Sequence, residues 1–154
     1  MKTIDYSLIK LLPAEEAHRE FSDAIKEVAY RGYIEEIWGW DEKVVREYNE
    51  RNWREKRSQI ILYNDQPIGT IYVGEDEESI EIAQFILISE YQNQGIGSHI
   101  LKDIIEKADL SGRTIKLNYL RQNPVASLYR RTGFQVVAED KMLYWAERKP
   151  GSET

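Results

Sequence analysis

A run of apolar residues, FILI, is followed within a few positions by QNQGIG and then by SHILKDIIEKA, whose apolar residues return every three or four places. This order of strand, glycine turn and helix constrains the chain more than any other stretch. A short turn leaves the first backbone N–H groups of the helix without intrahelical partners, and the positive end of the helix dipole adds to their pull on an anion. Gly95 and Gly97 lack the Cβ atoms that would hold a bulky phosphate away, and they tolerate the dihedrals of a backbone nest. Two glycines before a helix also mark ordinary tight turns, so the stretch by itself leaves both readings open. There is no GxxxxGK[ST] pattern, and the glycine spacing is not GxGxxG behind an N-terminal strand.

The elements around the turn follow from periodicity. Residues 3–12 alternate polar and apolar and predict a strand ending at Pro13, with a helix from there to about residue 30 carrying Ala17, Phe21, Ala24, Ile25 and Val28 on one stripe. Asp41 is placed to cap a second helix running to about Trp53. From Ser58 the period becomes that of strands, SQIILYND, IGTIYVGED and SIEIAQFILIS, which read as antiparallel neighbours. After the glycine turn a helix over 97–108 buries Ile100, Leu101, Ile104 and Ile105, and RTIKLNYL is a further strand. NPVASLYRRTG reads as a short helix capped by Asn123 and stopped by Gly133, and FQVVAED and KMLYWAE as a closing hairpin. The tail, residues 149–154, is expected to fray. No repeat or linker divides the 154 residues, so residues 1–148 are expected to form a single domain that relies on its core, there being no Cys.

The segment Gln92, Asn93, Gln94, Gly95, Ile96, Gly97 resembles the Q/R-x-x-G-x-G/A signature of the GNAT acetyltransferases, which use acetyl-CoA. A second segment, NPVASLYRRTGF, is similar to that family's Asn-x-x-Ala-x-x-x-Tyr…Gly-Phe stretch and follows the first after one helix and one strand. The resemblance implies an α+β fold with a mixed, mostly antiparallel sheet of about six or seven strands and about four helices. It implies that the coenzyme A pyrophosphate rests on the amides of Gln92, Asn93, Gln94, Gly95, Ile96, Gly97 and Ser98. The pantetheine arm would pair like an added strand with Phe85, Ile86 and Leu87, unpaired edge amides being suited to an amide-containing arm. Ser89 stands where many members have proline, which loosens the strand exit without removing a donor.

Acetyl transfer to an amine needs a neutral nucleophile, support for the oxyanion and a proton for the departing thiolate. A lysine-like amine has a reference pKa of about 10.4, so a base must relieve it of a proton near neutral pH. Tyr129 matches the family tyrosine near the coenzyme A sulfur and is the candidate acid; its helical neighbours Val125, Leu128 and Thr132 equally make it a core aromatic. Glu81 stands where some members carry a catalytic glutamate and is the candidate base. Its neighbours Ala83 and Phe85 suggest a partial burial that would raise a carboxylate pKa, while a solvated strand carboxylate is the plainer reading. Asn123 serves as helix cap and, by resemblance, as a partner for the pantetheine arm. His18 and His99 read as surface histidines, and with no Cys no metal site is expected.

The segment YRGYIEEIWGWDE lies between the first two helices, where this family usually walls its acceptor pocket. Tyr33, Trp38 and Trp40 read either as an aromatic wall, with Glu35 and Glu36 supplying charge for an ammonium group, or as packing for the helix pair. With no Cys to carry an acetyl group, the expected reaction is direct attack by a primary amine in a ternary complex, the acceptor being a small amine or a peptide or protein lysine. The alternative is a coenzyme A-binding regulatory or interaction module without useful catalysis. The net charge of -6 and the absence of a basic aromatic face speak against nucleic acid as partner, and no apolar run is long enough for a membrane span. A cytoplasmic location is the default expectation, and a homodimer is compatible with it.

Overall fold

The computed structural model describes residues 3–153. Its strands are β1 (Ile9–Pro13), β2 (Gln59–Tyr63), β3 (Gln66–Glu75), β4 (Ser79–Leu87), β5 (Thr114–Leu120), β6 (Gln135–Glu139) and β7 (Leu143–Arg148). Its helices are α1 (Arg19–Ile37), α2 (Glu42–Glu55), α3 (Ile96–Ser111) and α4 (Ala126–Arg131). The strands make one mostly antiparallel sheet in the order β1-β2-β3-β4-β5-β7-β6, the α+β arrangement expected. Two compact units are present, Met1–Tyr72 with Gln84–Gln92 and Val73–Ala83 with Asn93–Thr154, so β3 and β4 contribute residues to both.

In the first unit the opening strand is shorter than its alternation suggested. The Asp5 carboxylate accepts from the Ser7 amide and starts a 3₁₀ turn over Tyr6–Leu8, and only then does the chain extend. Pro13 does not open a helix. It ends β1 opposite Gln59, a place open to proline because β1 is at the sheet edge. The helical start falls later, at a 3₁₀ turn over Glu16–His18, where His18 Nδ1 accepts from the Glu15 amide at 2.9 Å. His18 is thus half of a capping box. The β2–β3 hairpin turns on Asn64 and Asp65, both with positive φ, as a two-residue connection with the strands' own twist requires. Ala14, Trp53, Ile60 and Leu62 form a core cluster with Phe21 packed against it.

A second departure affects the expected acceptor wall. α1 continues through Gly32 to Ile37, so Tyr33, Glu35 and Glu36 lie on the helix, and only residues 38–41 remain between α1 and α2. A mid-helix glycine costs about 1 kcal/mol. Arg31 offsets it by reaching one turn back to Glu27 at 2.5 Å and one turn forward to Glu35 at 2.8 Å. Asp41 caps α2 as expected, accepting from the amides of Lys43 and Val44.

In the second unit the start of β4 pairs in parallel with β5, from Ser79 opposite Thr114 to Ile82 opposite Leu117. α3 is the connection between them; it buries Ile96, Ile100, Leu101, Ile105 and Ala108 and packs on β5. Gly112 in the left-handed region stops it, with the Arg113 amide returning to the Ala108 carbonyl at 2.9 Å. β7 inserts between β5 and β6, and the hairpin expected of β6 and β7 carries a register shift between Val136 and Ala138. Arg148, only 1% exposed, organises the chain end. Its guanidinium donates to the Thr132 carbonyl (2.8 Å), to Asp109 (2.7 Å) and to the Ser152 carbonyl (2.6 Å), while the Gly151 amide also reaches Asp109 (2.9 Å).

Candidate active site

Along β4, Ile80 and Ile82 are buried and Glu81 and Ala83 half-buried, as the alternation of a strand requires. The alternation breaks at Gln84, whose φ is 51°. Three hydrogen bonds hold this bend. The fully buried Thr70 hydroxyl donates to the Gln84 carbonyl (2.8 Å), the buried Ser58 hydroxyl donates to Gln84 Oε1 (2.8 Å), and Gln84 Nε2 donates to the Lys56 carbonyl (3.3 Å). Beyond it Phe85 and Leu87 are half-buried and Ile86 buried, and the Ile88 amide rejoins β3 at the Ile68 carbonyl (2.9 Å). Gln92, the first residue of the glycine motif, donates its side-chain amide to the Leu87 carbonyl at 2.8 Å, so this side chain braces the end of β4.

In the second unit the glycine turn takes the conformation its sequence requires. Asn93 and Gly95 both have positive φ (60° and 82°), and Gly95 is the residue before α3. Its carbonyl accepts the first helical bond, from the His99 amide at 2.9 Å, and no side chain caps the helix. The amides of Ile96, Gly97 and Ser98 are therefore the first donors of a 16-residue helix, an arrangement that fits an anion.

Tyr129 is 5% exposed on α4, its ring 5.4 Å from both Tyr119 and Phe134, and Tyr119 meets Tyr144 at 5.6 Å. It is therefore a core aromatic as well as the motif tyrosine. A cavity of about 270 Å³ adjoins its ring, lined also by Tyr119, Arg130, Phe134 and Val136. Burial pushes the Tyr119 phenol above its ordinary range, and the nearby Arg130 charge opposes that rise. Asn123 Oδ1 accepts from the Val125 amide at 3.0 Å in a local turn, but it does not cap the helix as expected: α4 begins later, at Ala126, behind Val125 and with no side-chain cap. Glu81 stands opposite Lys116 in the parallel ladder.

Around the α1–α2 loop the structure brings part of the acceptor set together on a cation of its own. The Arg31 guanidinium lies 4.9 Å from the Trp40 ring, bonds Glu35, and stands 3.9 Å from Glu42, whose carboxylate also accepts from Trp40 Nε1 at 2.9 Å. Trp40 and Glu35 are thus engaged. Glu36 faces solvent, Tyr33 is half-buried and Trp38 is 70% exposed. Reading by motif passed over Ser58, Gly69, Thr70, Gln84 and Arg31; only Arg31 left a local signal, acidic residues four places to either side.

A family model for the acetyltransferase (GNAT) domain matches residues 55–136, more than half of the chain. The chain belongs to that family. It is accordingly an acetyl-CoA-dependent acyltransferase of the GNAT fold. Among solved structures, the PaiA N-acetyltransferase of Thermoplasma acidophilum, in complex with coenzyme A, superimposes with a TM-score of 0.69 at 18% identity, covering 92% of this chain and 98% of that one. A GNAT acetyltransferase of Elizabethkingia anophelis with acetyl-CoA bound gives 0.62 at 17% identity, over 92% and 98%. Arabidopsis thaliana Naa50, in complex with the bisubstrate analogue CoA-Ac-MVNAL, gives 0.63 at 15%, over 92% and 99%. No curated protein sequence is similar enough to count as a relative. Among the described residues, no helix is long and apolar enough to cross a membrane, and no group of three or more His, Cys, Asp or Glu is placed to hold a metal ion.

Proposed function

We propose that the protein transfers the acetyl group of acetyl-CoA to a primary amine by direct attack. The observation that carries this reading is the turn before α3, where left-handed Asn93 and Gly95 leave the amides of Ile96, Gly97 and Ser98 as uncapped donors for a pyrophosphate. Phe85, Ile86 and Leu87 offer backbone groups to the pantetheine arm, Gln92 holds Leu87 for that purpose, and Asn123 adds a side-chain amide. Glu81, directly or through water, takes the proton that the attacking nitrogen loses as the C–N bond forms. Tyr129 gives a proton to the sulfur as the C–S bond breaks. The absence of Cys supports transfer without an acetyl-enzyme.

The acceptor side is drawn from Tyr33, Glu35, Glu36, Trp38 and Trp40. Because Arg31 already occupies the face of Trp40 and one oxygen of Glu35, the groups left for an incoming ammonium are the exposed Trp38 and Glu36, with Tyr33 beside them on α1. The peptide-bearing analogue bound by Naa50 supports peptide amines as acceptors alongside small ones. Gly95→Val and Gly97→Val test the cofactor site: each should abolish stabilisation by acetyl-CoA in a thermal shift assay while the unliganded fold survives. Undiminished stabilisation in both would move the pyrophosphate elsewhere.

A further inference from the structure

We propose that Thr70 and Ser58 are positioning residues for acetyl-CoA: by holding Gln84 in its left-handed bend they set the direction in which Phe85, Ile86 and Leu87 meet the pantetheine arm. The inference rests on the reading above that the arm pairs with this stretch. Among the described residues, four other than glycine have positive φ, namely Asn64, Asp65, Gln84 and Asn93. Three are Asn or Asp in turns, where a short side chain relieves the conformation. Gln84 lies inside a strand, where the left-handed conformation costs about 1–2 kcal/mol and persists only if its surroundings impose it.

β3 imposes it through two consecutive residues. At Gly69 it yields: a Cβ there would collide with the Ile86 carbonyl oxygen and stand 3.2 Å from Leu87 Cα, so the β4 backbone passes over a position that only glycine leaves open. At Thr70 it grips, through the hydroxyl on the Gln84 carbonyl, and Ser58 on β2's approach grips the Gln84 side chain. Thr70 is 0% and Ser58 4% exposed. Burying two hydroxyls brings no apolar gain, and valine or alanine would fill the space; their evident service is to the shape of β4. Gln92 on Leu87 fixes the other end, leaving a short stretch of backbone between two side-chain anchors.

The test compares coenzyme A with 3′-phospho-ADP, the part of it that lacks the pantetheine arm, by calorimetric titration of the wild type, Thr70→Val, Thr70→Ser and Ser58→Ala. Thr70→Val should weaken coenzyme A by about fivefold or more while leaving 3′-phospho-ADP within about twofold. Ser58→Ala should move the same way, and Thr70→Ser, which keeps the hydroxyl, should bind as the wild type. If valine or alanine weakens both ligands equally, or neither, the positioning role is overturned. If the wild type itself binds the two ligands equally, the pairing of the arm with β4 fails instead. Should Thr70→Val not fold, Ser58→Ala decides from the other side of the same bend.

Discussion

Replacing Arg148 with methionine removes a buried guanidinium while keeping an unbranched side chain in its place. Three hydrogen bonds go with it, to Asp109 and to the carbonyls of Thr132 and Ser152. At about 1.5–3 kcal/mol for each bond to a charged group, the gross loss is about 4.5–9 kcal/mol. Asp109 is 34% exposed and rehydrates, and the released tail residues recover about 1–2 kcal/mol of entropy each. The net loss should be about 3–5 kcal/mol, the range for deleting one member of a buried ion pair. Asp109→Asn keeps both carbonyl bonds and should cost about 1–2 kcal/mol near pH 7, since the carboxylate's exposure screens the pair. The Arg148 guanidinium and then the Gly151 amide hold the Asp109 carboxyl below its ordinary value of 3.8. A depressed carboxylate stabilises the fold above its unfolded value and ceases to as pH falls through the folded one. Urea titrations should therefore give a wild-type advantage over Asp109→Asn that is level above about pH 5 and shrinks below about pH 4. A methionine variant within about 1 kcal/mol of the wild type, or an asparagine gap indifferent to pH, would refute the reasoning.

Tyr129→Phe keeps the ring packed on Tyr119 and Phe134, so it should lower turnover by about 10²–10⁴-fold with cofactor affinity nearly constant; unchanged turnover would leave the ring a core aromatic only. Glu81→Gln should likewise lower kcat in steady-state assays while acetyl-CoA binding persists. Trp38→Ala should raise the acceptor KM by a modest factor, an exposed cation–π contact being worth about 0.5–1 kcal/mol, with stability little changed. Trp40→Ala should instead lower the melting temperature, because its ring carries Arg31 and its indole N–H bonds Glu42. Gly133→Ala should destabilise the chain end: its φ is +96°, and a Cβ would stand 2.6 Å from the Glu153 carbonyl oxygen.

What was legible in the sequence depended on how far apart the cooperating residues lie. The Asp41 cap and the glycine turn before α3 are decided within a few positions, and each formed where its residues stand. Tyr129 carried two readings because a motif position and a packed helix face coincide in one residue. α1 runs past Gly32, a residue type that commonly follows a helix end, because the Arg31 pairs with Glu27 and Glu35 support the turns on either side of it. The Gln84 bend was invisible: its hydroxyl partners come from 14 and 26 residues away, and no local pattern announces a strand residue turned left-handed by its neighbours. Nothing near Arg148 in the sequence reveals Asp109, 39 residues earlier, as its partner.

The irregular pairing of β6 bears on how readily this edge of the sheet could pair with another chain. All five of its residues are exposed, it forms a border of the sheet, and Val136 and Val137 put apolar surface there. A straight strand of that kind would be an adhesive template for another chain's backbone and a starting point for aggregation. The extra residue between Val136 and Ala138 interrupts the even spacing of outward N–H and C=O groups, so a second strand cannot zip along it. Deleting Val137 would restore that spacing while leaving the rest of the hairpin in place, and the variant should precipitate at concentrations the wild type tolerates. On that outcome the kink guards the sheet edge through the backbone rather than through surface charge.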